Sequence, residues 1–271
     1  SKSQKEIIMT TKTKTKTEVA KATTSVALDT ILEDAGSMSG LENVVSTEDM
    51  ALPFLKVLSQ MSNECNKTSN KFVEGAEPGN IINSVTGKLY DGEEGIDVIP
   101  CFYKREFIEW AERGTGTGAP VAIHGADFDI STAPRDGNQN RLPSGNVVEE
   151  TANHFVLVVD ADGNYEQALI TMKSTGRKIS RKWNSMMLSN KMQGKDGKPF
   201  TPPAYSTTYR LKTMPQSNQK GTWFGWDVFK VGPVTDQGMY DTAKNFAQGV
   251  NKNTVEVKHE SDVPAERKDA F

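Results

Sequence analysis

HFVLVVDADGNYEQALITMKSTGRKISRKWNSMM, residues 154–187, decides how the chain folds. His154 to Val159 is a continuous apolar run of strand length. Asp160-Ala161-Asp162-Gly163-Asn164 supplies the small and polar residues of a hairpin turn, and Glu166 to Lys173 then pairs back. At Gly176 the period changes. Ile179, Trp183, Met186 and Met187 recur at i, i+4, i+7 and i+8, one face of a helix running to Asn190. Arg177, Lys178, Arg181 and Lys182 lie to its other side. The stretch predicts strand, turn, strand, helix.

Working outward, Ile96 to Trp110 is a long strand candidate rich in β-branched and aromatic residues. Gly114-Thr115-Gly116-Thr117-Gly118 and a long polar run to Glu150 separate it from His154. A connection of that length inside a domain implies hairpin structure or function. Pro199, Pro202 and Pro203 end the helical region, after which Ala204–Thr213 and Thr222–Val231 read as strands and Gly238–Gln248 as a helix. Short β-like runs such as Asn80–Val85 precede the body. The order strand, strand, strand, helix, strand, strand is that of a five-stranded OB barrel; other small barrels and sandwiches give the same string. The expectation is a mainly β protein, an OB-like barrel with an inserted hairpin region and flanking helices. Residues 46–249 would form it, with a disordered tail over 1–45, where Thr10 to Thr17 alternates Thr and Lys, and a flexible tail over 250–271. Met9 is a candidate initiator.

Two cysteines, Cys65 and Cys101, are too few for a disulfide framework of the secreted kind. No apolar run approaches the roughly 20 residues that span a bilayer, and the Lys/Thr-rich start lacks a secretory core. These features predict a reducing, cytosolic location with no membrane contact.

Charge is distributed unevenly. The net charge is −3, yet residues 171–220 carry eleven Lys and Arg against the single Asp196. Segregation of this kind is the footprint of a polyanion site. Lys173, Arg177, Lys178, Arg181 and Lys182 come from the hairpin and helix. The strand at 204–213 alternates, with Tyr205, Thr207, Tyr209 and Leu211 on one face and Arg210 and Lys212 on the other. Its neighbour carries Trp223, Phe224 and Trp226, which cannot all fill a small core, so at least one is exposed or covered by the insertion. The first strand adds Tyr103, Lys104, Arg105 and Phe107. Basic and aromatic residues thus interleave on strands expected to be adjacent. Stacking on such rings contributes ~1–3 kcal/mol per base without regard to sequence, and Lys and Arg supply salt-dependent phosphate contacts.

Catalytic and metal motifs fail on spacing. The Asp160 loop has Gly at position four rather than six and no closing Glu, so it is not a calcium loop. Lys173-Ser174-Thr175-Gly176 has P-loop letters in the wrong order, and Gly114 to Gly118 opens no helix. His124, His154 and His259 are scattered, with no Cys/His spacing that suits zinc. The expectation is a protein without catalytic residues, metal or cofactor.

Leu52-Pro53-Phe54-Leu55-Lys56-Val57-Leu58, Phe72-Val73-Glu74-Gly75-Ala76, Arg181-Lys182-Trp183-Asn184-Ser185-Met186-Met187, Thr201-Pro202-Pro203 and Gly221-Thr222-Trp223-Phe224-Gly225-Trp226 resemble a family of bacteriophage proteins from marine and environmental genomes. Members are usually described as single-stranded DNA-binding or hypothetical, and the similarity spans about residues 48–248. The resemblance implies a sequence-independent single-stranded DNA-binding protein, acting in phage replication or recombination in the cytoplasm of the infected bacterial host. It also implies a tail ending in Phe271 that meets replication or recombination partners. Two alternatives stay open: a recombination accessory that anneals strands, and a virion or assembly protein that binds no nucleic acid.

Overall fold

The computed structural model describes residues 52–112, 114–219, 221–255, 257 and 259, together with Thr30. Apart from Thr30, these belong to the second of two units, Ser1–Val45 and Ser46–Phe271. The expectations for 1–45, for Met9 and for Phe271 lie outside the described residues.

The body is mainly β. Two long strands form its spine: β4, Ile96–Trp110, and β8, Val147–Val159, paired antiparallel along almost their whole length. Pro100 sits inside β4, where a missing N–H would break an ordinary ladder. The register shifts between Pro100 and Phe102, and such a bulge is where a strand accommodates proline. The Asp160 turn joins β8 to β9, Tyr165–Lys173, as the 154–187 stretch predicts. Helix α1, Gly176–Ser189, follows, and then a two-stranded hairpin of β10, Met192–Gln193, and β11, Pro199–Phe200. Next come β12, Thr207–Asn218, and β13, Gly221–Pro233, which pair with each other, β12 also joining the start of β4. Helix α2, Gln237–Asn251, closes the order.

The insertion does contain hairpin structure. Its strands β5, Ala122–His124, and β7, Gln139–Arg141, extend the far ends of β4 and β8, and β6, Arg135–Asp136, pairs with β7. They enclose Phe107, Ala133 and Val148. The large sheet therefore runs β13-β12-β4-β8-β7-β6, with β5 on β4 and β9 on β8.

None of the sheets closes into a barrel among the described residues. A separate three-stranded sheet of β1, Leu55–Val57, β2, Ile81–Asn83, and β3, Leu89–Tyr90, lies where closure would occur. β1 contacts both β9 and β13, and Phe54 bridges to Leu169 in parallel. Thr213 anchors the same segment, its N–H donating to Gly92 O at 2.8 Å and its Oγ1 to Gly79 O at 2.6 Å. Gly92 is required there, because a Cβ would stand 1.9 Å from Gly79 O.

Two apolar layers sandwich the spine. On one side Trp183 of α1, fully buried, packs with Val98, Val156, Ile170, Leu211 and Val228. Truncating such a side chain costs about 3–5 kcal/mol. On the other side Ala243, Phe246 and Val250 of α2 cover Ile99, Phe155, Leu157 and Leu169. Val255 and Val257 pack on this face, and His259 is buried against Glu106 and Phe54, so this part of the expected 250–271 tail belongs to the body.

Candidate functional site

The alternation expected on β12 is present: Thr207, Tyr209, Leu211 and Thr213 are buried, while Arg210 and Lys212 turn outward. This settles the placement of several rings. Tyr209 is wholly enclosed, edge-on to Trp183. Trp226 is buried with Val228, and Phe107 is buried under the insertion. These three present no open ring face. Phe224 lies against Gly79, its ring 2.9 Å from where a Cβ would stand, so the β1–β3 segment covers it rather than the insertion. Trp223 is half-buried, with its indole N–H enclosed. Tyr103 is half-buried beside His154, ring centroids 5.1 Å apart.

The cations divide into two sets. Most of those on the sheet have carboxylate partners. Arg210 grips Asp97 with two bonds, 2.7 and 2.8 Å. Lys104 pairs with Glu106 at 2.7 Å and Lys173 with Glu149 at 3.1 Å. Glu150 receives both Arg105, at 2.7 Å, and Arg177 from the first turn of α1. Arg177 also donates to the Tyr103 hydroxyl at 3.5 Å. Lys212 is half-buried and meets no carboxylate among the described residues. The other set lies on α1 and the hairpin after it. Lys178, Arg181 and Lys182 follow i, i+3, i+4 and share one exposed face. Lys182 reaches Asp227 at 2.6 Å; Lys178 and Arg181 meet no carboxylate among the described residues.

One ring absent from the sequence expectation joins this second set. Phe229 on β13 is 43% exposed, and the Lys182 ammonium stands 5.4 Å from its centroid. Its position was available from alternation, since Trp226 and Val228 point inward and Phe229 must take the opposite face. β13 is the edge strand of the large sheet among the described residues. Lys230 donates to Asn190 at the end of α1, at 2.7 Å, and Lys191 starts the hairpin immediately after it. Helix face, edge strand and hairpin thus form a connected cationic rim.

Two polar clusters sit beneath the surface. His154 bonds Ser180 Oγ at 2.8 Å and stacks on Trp183 at 4.5 Å. Burial, assisted by the Arg177 guanidinium, pushes its imidazole down to about 3, so the ring is neutral and structural. On the α2 side Glu106 accepts from Asn153 at 2.7 Å and faces Lys104 and His259. Burial works against its charge, but the bonds from His259 and Lys104 prevail and hold the carboxyl below its ordinary value. Burial pushes the Cys101 thiol up to about 12, which makes it unreactive at neutral pH. No group of three or more His, Cys, Asp or Glu is placed to hold a metal ion among the described residues. No helix there is long and apolar enough to cross a membrane.

Fold and site together define a mainly β protein with open antiparallel sheets and a cation-bearing helix laid against an edge strand. The chain belongs to the Pam3 phage gp34-like protein family, whose model matches residues 19–256, and it is therefore a phage protein. Neither a curated protein nor a solved structure matches it.

Proposed function

We propose that this phage protein binds single-stranded DNA without sequence preference and without catalysis, in replication or recombination within the infected host's cytoplasm. The observation that carries the reading is the rim on which Lys178 and Arg181, without carboxylate partners among the described residues, share one exposed helix face with Lys182, whose ammonium stands 5.4 Å from the centroid of the exposed Phe229 ring. Cations available to phosphate and a ring available to a base are the two components of non-specific single-strand recognition.

Connectivity supports the same reading. β4, β8, β9, β12 and β13 would be the five strands of an OB fold, with α1 between the third and fourth. Their ladders β4·β8, β8·β9, β12·β13 and β12·β4 are those an OB barrel uses. The β1–β3 segment lies where the fifth ladder would close. OB ligands normally cross the outside of the second and third strands. Here Phe155, Leu157 and Leu169 of that surface lie under α2. The ligand path is accordingly assigned to the α1 rim, not to the broad platform of Tyr103, Phe107 and Tyr209.

Fluorescence anisotropy with single-stranded and duplex oligonucleotides across a salt series tests this. Three to four phosphate contacts give a log–log salt slope of about −2 to −3, from ~0.7 per contact on single strands. Preference for single strands with that slope is the expected result. Absence of binding at low salt, or a flat salt response, would overturn the proposal.

A further inference from the structure

The hairpin β10–β11 carries apolar side chains that the fold does not use. Met192 and Phe200 are direct cross-strand partners, so their side chains lie together on one face. They are 39% and 46% exposed, and Leu188, in the last turn of α1, is 71% exposed. None of the three belongs to a core cluster, and the Phe200 ring stacks on no other ring among the described residues. Around them stand Lys191, Lys195 and Lys198. The one acid is Asp196, 4.0 Å from Lys198 and engaged by the Lys198 N–H at 3.1 Å.

The hairpin is also held in shape. Gly194 N donates to Lys198 O and Gly197 N to Gly194 O, both at 2.9 Å, and Gly197 takes φ 77, where a side chain would be strained. Lys191 bonds Thr201 across its base, and Pro199 and the buried Pro202 stiffen the exit strand. A prearranged surface of this kind loses little freedom when a ligand arrives.

We propose that the β10–β11 hairpin is a stacking finger for single-stranded nucleic acid, with Phe200 under a base and Lys195 and Lys198 on the flanking phosphates. This rests on the nucleic-acid reading above. A flat ring beside a thioether suits a base face, which duplex DNA hides and a single strand offers. Three lysines against the single Asp196 leave the hairpin net positive, which favours a polyanion. The finger follows directly from α1, which carries Lys178 and Arg181, and cations spread over both elements suit an extended backbone better than an isolated headgroup.

The full chain and its Phe200→Ala and Lys195→Ala/Lys198→Ala variants are titrated against oligo-dT and an abasic oligonucleotide of equal length. Phe200→Ala should weaken oligo-dT binding about five- to twenty-fold, leave abasic binding unchanged and preserve the salt slope. The double lysine variant should flatten the slope by about 1.4 on both probes, from ~0.7 per contact. Phe200 is exposed, so thermal melting should be the same in every variant. If the parent protein binds oligo-dT and Phe200→Ala binds equally well, the finger is overturned while the nucleic-acid reading stands. If the parent binds neither oligonucleotide, the underlying reading falls instead. Binding to phosphatidylglycerol vesicles that is lost in Phe200→Ala, without an effect on oligo-dT, would make the hairpin a membrane contact and overturn the proposal.

Discussion

On the sheet, Arg210 closes on Asp97, Lys173 on Glu149, and Glu150 takes both Arg105 and Arg177. On the exposed face of α1 and the hairpin beyond, Lys178, Arg181 and Lys195 meet no carboxylate among the described residues. Both regions draw on the basic stretch 171–220, yet they have different physics. A paired cation has its field largely cancelled within a few ångströms and serves to align strands or dock a helix. An unpaired one projects its field into solvent over roughly a Debye length, about 8–10 Å at physiological salt. Local charge density therefore measures binding capacity only after the partners supplied by distant strands have been subtracted.

The largest effect tests how deeply the paired region is tied to the interior. His154 has an ordinary value of 6.5 and is held down to about 3 in the fold. Below pH 6.5 the unfolded chain takes up a proton that the folded chain refuses, so stability is complete above that pH and falls towards about 3. The full loss is on the order of several kcal/mol. Urea midpoints measured from neutral pH into this window should fall less steeply in His154→Gln than in the parent; parallel curves would remove the linkage.

Next in size, Arg177→Ala should cost about 2 kcal/mol, because it strips a half-buried carboxylate of one of its two arginines. Calorimetry would show it, and an unchanged melting temperature would mean the pair is decorative. Lys178→Glu/Arg181→Glu should do the reverse, leaving melting unchanged while lowering single-strand affinity at least tenfold, about 1.4 kcal/mol. The smallest effect belongs to Arg210→Ala. Its exposed pair contributes under about 1 kcal/mol, and DNA affinity should stay within about twofold. An affinity loss in Arg210→Ala as large as in the α1 variant would erase the contrast between the two regions.

Much of the body was legible. The stretch 154–187 gave its turn and helix through unbroken local patterns, and Ile96–Trp110 is one strand from end to end. The bulge at Pro100 was hidden, because proline in a run signals interruption without saying that pairing resumes. The role of β1–β3 was also hidden. Three-residue strands have too few positions to show a period, and their partners lie far away in sequence. The candidate site was less legible than the fold. Tyr209 and Phe107 carry the same letters whether buried or exposed, and only the tertiary arrangement encloses them. The neutralising acids Asp97, Glu149 and Glu150 lie outside the basic stretch, so no window of sequence could show the cancellation. Phe229 was recoverable from alternation once Trp226 and Val228 were taken as core.

The segment between β9 and β13 bears on how the chain assembles in time. β1 to β3 are synthesised before either strand they contact, and Phe54 must wait for Leu169, as Gly79 must wait for Thr213. Contacts so distant along the chain slow folding and leave early strands unpaired meanwhile. The β1–β3 segment is thus made before its partners, and a newborn chain carries it unpaired until β9 and β13 emerge, an interval that favours aggregation.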